Sequence, residues 1–299
     1  MVCISYGVRK LSRFKLILSK PNHIKIYGHR GARGDLPENT LNSFEYLYEN
    51  NISVSETDIL LTKDLVPVIN HDFRLNPDFT KDAKGNWLTN NDIKIFELTY
   101  EELSKYYIGS INKNSEYGKK FSKQKYLINQ KVPKLTELLE LSSKANLDNL
   151  LINLEIKSTP YESNLTPPPD KMVEIIVNEV NKFRIKNKLI YSSFDWRILG
   201  EIEKIDPKIP RAYLTFEKKD SELPRIIKEH GGVAWHPELK DIKKETVKIS
   251  HDEDIAVNVW TVNEVDDMLR MIDLGVDGII TDYPVKLKEL CEKRNIKWF

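Results

Sequence analysis

Cysteine is nearly missing from this sequence: there are two, Cys3 and Cys291, at opposite ends of 299 residues. Such a pair makes neither a disulfide framework nor a zinc site, and it fits a reducing compartment such as the cytoplasm. A charge surplus is missing too. Against 46 basic residues stand 45 acidic ones, a net charge of +1, which gives the chain as a whole no pull on nucleic acid. No apolar run approaches a bilayer's thickness, so stable membrane insertion is not expected. Walker loops, zinc-protease helices and nucleophile elbows are absent. So are internal repeats and low-complexity tracts.

One local shortage stands out. No acidic residue precedes Asp35, whereas Arg9, Lys10, Arg13, Lys15, Lys20 and Lys25 do. The apolar run there, Leu16-Ile17-Leu18, is too short for a secretory core. Residues 1–22 read as a basic arm, with export or an organelle address as the competing reading. The remainder, 23–299, has the length of one (β/α)₈ barrel, which takes about 250 residues. With 40% hydrophobic and 30% charged residues, it can bury a full core without staples.

Along the chain, short apolar runs alternate with segments of helical period. Strands are expected at Ile24–Gly28, Ile52–Leu61, Val66–Asn70, Leu150–Ile156, Leu189–Ser193, Arg211–Phe216, Gly232–Trp235, Ala256–Trp260 and Gly278–Thr281. Helices are expected at Thr40–Glu49, Leu135–Ala145, Lys171–Phe183, Trp196–Ile205 and Val265–Leu274. This alternation predicts an α/β fold, a TIM-type barrel of parallel strands with helices outside. Nine strands exceed eight positions. Too few residues part Leu61 from Val66 for a crossover, so Val66–Asn70 is the extra strand, an antiparallel hairpin partner. Residues 76–132 break the rhythm, with one helix opened by the capping box Thr99–Glu102. A long excursion of this kind is a functional loop or small inserted subdomain, expected to cover the carboxyl face of the barrel. Pro167-Pro168-Pro169 stiffens a second loop.

Polar groups gather where barrel enzymes keep them, at the carboxyl ends of strands. Gly28-His29-Arg30-Gly31-Ala32-Arg33-Gly34 follows the first strand. Its glycines suggest a dinucleotide loop, but Arg30 occupies the place of the required second glycine. Glu56 and Asp58 lie two apart in a strand and so share a face. Like charges held together call for a cation between them, and oxygen ligands suit one divalent ion, Mg²⁺ or Ca²⁺. His71-Asp72 closes the hairpin. Either two-residue turn, Lys63-Asp64 or Asp64-Leu65, sets His71 opposite Glu56 or Asp58; a three-residue turn breaks that relation. Glu155 and Lys157 share a face at the end of another strand and fit a metal with a bound phosphate, a surface ion pair being the alternative.

In order along the chain, His29-Arg30-Gly31, Pro37-Glu38-Asn39-Thr40, Glu56-Thr57-Asp58, His71-Asp72, Glu155-Ile156-Lys157, Trp260-Thr261-Val262-Asn263 and Asp277–Pro284 resemble the glycerophosphodiester phosphodiesterase family. Gly109-Ser110-Ile111-Asn112, Asn153–Lys157 and Ser193-Phe194-Asp195-Trp196 further resemble a bacterial branch of it. The resemblance implies metal-dependent hydrolysis of small glycerophosphodiesters to glycerol 3-phosphate and an alcohol. It implies His29 and His71 as the acid–base pair, Glu56, Asp58 and Glu155 as metal ligands, Arg30 and Lys157 on phosphate oxygens, and Trp260 as a pocket wall. Two departures stand out. Asn76-Pro77-Asp78-Phe79-Thr80 replaces an arginine-threonine element, and Leu65 replaces a turn glycine.

Histidine suits both proton transfers because its pKa lies near neutrality. The attacking oxygen is either the glycerol 2-hydroxyl, through a cyclic phosphate, or water; sequence leaves both open, as it does the oligomeric state. The alternatives are phospholipase D-like cleavage of lysolipids, a non-catalytic phosphate-binding barrel, or a membrane-surface adaptor using the basic arm.

Overall fold

The computed structural model describes residues 23–218 and 221–299; the basic arm, and Cys3 with it, lies outside them. Among the described residues, ten strands form one sheet. Eight of them run parallel and close into the expected barrel: β1 (His23–Gly28), β2 (Val54–Leu61), β4 (Leu151–Ile156), β5 (Leu189–Ser193), β6 (Arg211–Thr215), β7 (Ala234–Pro237), β8 (Ala256–Val259) and β9 (Gly278–Thr281). The helices are α1 (Leu41–Glu49), α2 (Tyr100–Leu103), α3 (Glu116–Lys120), α4 (Leu135–Lys144), α5 (Pro169–Val180), α6 (Trp196–Ile205), α7 (Leu223–Glu229), α8 (Lys244–Asp252), α9 (Val265–Leu274) and α10 (Pro284–Lys293).

The strands are buried on both faces because both are covered, and most of their residues are apolar, the exceptions including Lys25, Glu56, Asp58 and Glu155. Outward residues such as Ile26, Ile59, Ile152 and Ile279 pack on helical faces such as Phe44–Leu47 and Ile198–Ile202. Inward, Tyr27, Val54, Leu151, Ile190, Ala212, Ala234, Ala256 and Ile280 fill the barrel. Alanines on β6, β7 and β8 make room for the larger side chains opposite.

The seam between β1 and β2 is the distinctive part. These strands meet only at Tyr27↔Val54 and Gly28↔Ser55. Below the junction, β10 (Lys297–Trp298) pairs with the free edge of β1. Above it, β3 (Pro67–Ile69) pairs antiparallel with the free edge of β2. Both edges of the short seam are thereby hydrogen-bonded, and the extra strand ends next to the carboxyl end of β1.

The hairpin corrects one expectation. Ile59 pairs with Ile69 and Leu61 with Pro67, and Thr62 N–H donates to Val66 O, so the turn is the three-residue one, Lys63-Asp64-Leu65. Leu65 takes the left-handed conformation, φ 62°, which favours the glycine it replaces. Directly opposite Asp58 in this register is Asn70, not His71. β3 has ended by then, and the loop that follows carries His71 to the site instead.

Other differences are local. The structure adds α3, α7, α8, α10 and β10 to the expected elements, and β7 lies two residues later than expected. The proline run behaves as expected, with Pro168 extended (φ −55°, ψ 149°) and Pro169 opening α5. The capping box at Thr99 is present. Residues 76–132 share a separate apolar cluster with the hairpin, where Leu60 and Val68 meet Leu75, Phe79, Ile95, Leu103, Ile108 and Val132. No helix among the described residues is long and apolar enough to cross a membrane.

Candidate active site

A cavity of ≈ 110 Å³ opens among His29, Arg30, Arg33, Glu56, His71 and Glu155, with Phe194, Leu214 and Trp260 along its other wall. A larger one, ≈ 210 Å³, lies by the starts of β5 and β6, among Val177, Tyr191 and Ile209. It contains no histidine and no group of acids, so the chemistry belongs to the first.

His29 follows β1 directly, its N–H bonded to Thr281 O at 3.0 Å. Its Nδ1 lies 2.7 Å from Asp282 Oδ1. Asp282 is fully buried and also accepts from Arg33 Nε (2.7 Å), Arg33 Nη2 (3.0 Å) and Asn263 Nδ2 (2.7 Å). Burial works against its charge, but Arg33 and His29 hold the carboxyl far below the usual range. An ionised carboxylate only accepts, so Nδ1 carries the ring proton and Nε2 remains an acceptor. Burial, with Arg33 adding to it and Asp282 opposing, lowers the ring pKa to about 4. His29 is therefore neutral at neutral pH, as a base must be.

The loop after β1 is tightly built. Gly31 has φ 84°, and a Cβ there would run into Ser43. Arg30 and Asn39 take left-handed φ of 51° and 55°, strain that the surrounding bonds maintain. Arg30 N–H donates to Glu56 Oε2 at 2.9 Å, and Arg30 Nη1 to Glu38 Oε1 at 2.9 Å. Asn39 Nδ2 donates to Asp58 Oδ2 at 3.0 Å, and Asn39 Oδ1 accepts from Thr57 Oγ1 at 3.2 Å.

Glu56, Asp58 and Glu155, on the neighbouring strands β2 and β4, each offer an oxygen within 4.8 Å of the others. Lys157 Nζ stands 2.6 Å from Glu155 Oε1 and 3.7 Å from Asp58 Oδ1. Burial, then Asp58 and Glu155, push the Glu56 carboxyl well above its ordinary range. Burial opposes ionisation of Asp58 as well, but His71, Arg30 and Lys157 hold it low. If all ionise, the buried acids Glu38, Glu56, Asp58, Glu155 and Asp282 outnumber the cations Arg30, Arg33 and Lys157 by two charges, and that repulsion is part of what pushes Glu56 up. That excess, concentrated on a triad of hard oxygen donors, fits a divalent cation.

His71 Nδ1 lies 2.6 Å from Asp72 Oδ1, and Asn76 Nδ2 braces Asp72 Oδ2 at 2.9 Å. Asn76 belongs to the element that departs from the usual pattern, and it supports His71 through this contact. Trp260 Nε1 is tied to His236 O at 2.8 Å, and its ring meets Phe194 edge-on at 5.4 Å. All eight residues singled out in the sequence thus converge at one end of the barrel. Sequence reasoning gave no role to Glu38, Asn39, Asp72, Phe194 or Asp282, although each lies inside a motif or a resembling segment quoted above.

The model of the glycerophosphoryl diester phosphodiesterase family matches residues 29–286. The chain belongs to this family. As a member it is a glycerophosphodiester phosphodiesterase, as the motif order implied. It is 30% identical over 273 residues to a glycerophosphodiester phosphodiesterase of Bacillus altitudinis, covering 89% of this chain and 98% of that one. A crystal structure from Silicibacter pomeroyi DSS-3, of a protein for which the same activity has been put forward, is 33% identical. It superposes with a TM-score of 0.90 and covers 96% of this chain and 99% of that one. The fold also matches an Oleispira antarctica phosphodiesterase in complex with the product sn-glycerol-3-phosphate, at 22% identity and a TM-score of 0.72, with 90% of this chain and 96% of that one covered.

Proposed function

We propose that this site hydrolyses small glycerophosphodiesters to glycerol 3-phosphate and an alcohol, with His29 and His71 as the acid–base pair. The observation that carries this reading is the single cavity shared by both histidines, Arg30, and two of the three triad acids. Sn-glycerol-3-phosphate in the Oleispira structure agrees with it.

A phosphodiester anion repels nucleophiles, so its charge has to be met first. Arg30 and Lys157 take phosphate oxygens. Glu56, Asp58 and Glu155 would hold one divalent ion, Mg²⁺ or Ca²⁺, which when bound supplies Lewis-acid neutralisation of the phosphate. His29, neutral and with Nε2 free to accept, takes the proton from the attacking oxygen. His71 returns one to the departing alkoxide, with Asp72 fixing its ring. Trp260 and Phe194 form the apolar wall against which the organic part of the substrate lies.

The test is a panel of glycerophosphodiesters with different alcohols, plus a lysophospholipid, with detection of glycerol 3-phosphate for the diesters and of the released alcohol for every substrate, before and after chelation. Release of glycerol 3-phosphate that chelation stops and Mg²⁺ or Ca²⁺ restores is the expected result. Full activity in a stripped, chelated sample overturns the metal assignment, and turnover of the lysolipid alone overturns the substrate class.

A further inference from the structure

The inserted segment reaches the site's charge network through Tyr117 on α3. Its ring is lodged between Phe79 and Phe121, at centroid distances of 5.0 and 4.7 Å. Its hydroxyl donates to Glu38 Oε2 at 2.6 Å. The other oxygen of Glu38 takes Arg30 Nη1 at 2.9 Å, while Arg33 Nη1 waits 3.6 Å from the oxygen that Tyr117 holds. Glu38 therefore stands between two guanidinium groups, and Tyr117 occupies the oxygen that Arg33 would take.

We propose that Tyr117 is a positioning residue through which the insertion sets the aim of Arg30 at the substrate phosphate; this rests on the phosphodiesterase reading above. Arg30 itself lies between two acids, with Glu38 on Nη1 and Asp58 Oδ2 3.5 Å from Nε. Among the described residues, no atom accepts a hydrogen bond from that Nε. Without the Tyr117 hydroxyl, Arg33 closes on Glu38 Oε2 and the carboxylate turns away from Arg30. Arg30 then settles onto Asp58, one of the metal-triad acids, and its N–H groups no longer point at the phosphate. Burial and the neighbouring Glu38 raise the phenol's pKa well above the ordinary value, so the hydroxyl donates at any working pH. A purely structural role is separable. Phenylalanine keeps the aromatic stack, and the insertion stays docked through Gln124 Nε2 to Arg33 O (2.6 Å) and Lys125 N to Asp35 O (2.9 Å).

The experiment compares wild type, Tyr117→Phe, Glu38→Gln and the double variant. It reads kcat and KM on a glycerophosphodiester, the inhibition constant of glycerol 3-phosphate, and Tm. Tyr117→Phe should raise KM and the glycerol 3-phosphate inhibition constant together by about 10-fold, the size expected for one hydrogen bond to a charged partner, with little change in Tm. In the Glu38→Gln background the same substitution should add nothing, because Tyr117 acts through Glu38. If Glu38→Gln does not fold, Arg30→Lys serves as the background with the same expectation. Unchanged KM and inhibition constant in Tyr117→Phe overturn the proposal, and so does an equal loss in both backgrounds. A failure of the parent reading looks different: the wild type itself then releases no glycerol 3-phosphate, and both fall.

Discussion

Replacing Asp282 by asparagine should disable His29 without touching it. The two oxygens of Asp282 are fully committed. Oδ1 accepts from His29 Nδ1 and Arg33 Nε, while Oδ2 accepts from Arg33 Nη2 and Asn263 Nδ2. Asparagine has one acceptor and one donor, and neither orientation works. With its amide nitrogen in the place of Oδ2, it faces two donors. With that nitrogen in the place of Oδ1, it faces Arg33 and forces the His29 proton onto Nε2, where a base needs a lone pair. The rate should therefore fall by about 10²- to 10⁴-fold, the range for losing a positioned base or its tautomer. Arg33 also loses its ionic partner in a buried setting, which costs about 3–5 kcal/mol of stability. Raising the pH should not help. The His29 ring is already neutral above about pH 4, and the defect is which nitrogen holds the proton, not how many protons are bound. The assay is kcat and kcat/KM of Asp282→Asn and Asp282→Glu on a natural diester from pH 6 to 9, with circular dichroism to confirm folding. A folded Asp282→Asn enzyme within about threefold of wild type, or one that recovers at high pH, refutes the tautomer argument.

The two histidines should separate on an activated diester such as a nitrophenyl ester, which needs little help in departing: His71→Ala recovers rate there and His29→Ala does not, and the reverse pattern exchanges their roles. Lys25, buried inside the barrel, has its pKa lowered to about 8 by desolvation, partly offset by Asp277. The unfolded chain binds that proton more tightly, so the penalty is complete below about pH 8 and fades as pH rises toward 10.5. Lys25→Met should thus be more stable than wild type by at most about 3 kcal/mol at pH 7, with the gap in denaturant midpoint closing by pH 10; a gap independent of pH counts against this. Leu65→Gly should raise stability by about 0.5–1 kcal/mol by relieving a left-handed leucine and leave kcat unchanged, whereas a lower Tm means the leucine contributes more through packing than it costs in strain.

What the sequence made legible follows from the range over which each signal acts. Strand alternation, the surplus hairpin strand and the shared face of Glu56 and Asp58 come from periods of a few residues, and all three hold in the fold. The hairpin register failed by one position because loop length depends on whether Leu65 tolerates a positive φ, which leucine rarely does. α7 and α8 leave little periodic signal in the sequence, because one is short with a proline at its start and the other is strongly polar. The partner of His29 lies 253 residues away, and that of Tyr117 lies 79 away. No periodicity connects such positions; barrel closure and the docking of the insertion bring them together.

The separate apolar cluster of the insertion has a consequence for how the protein fails. Leu60 and Val68 anchor that cluster to the barrel, and His71 sits where the two bodies join. Cooperative units with their own cores open at different free energies. Gentle heating or low denaturant should release the smaller unit first, carrying His71 away while His29 and the acidic triad stay with the intact barrel. Catalysis would then be lost while the barrel's circular dichroism still looks native, so a thermal scan of activity and one of helix content would report two different midpoints.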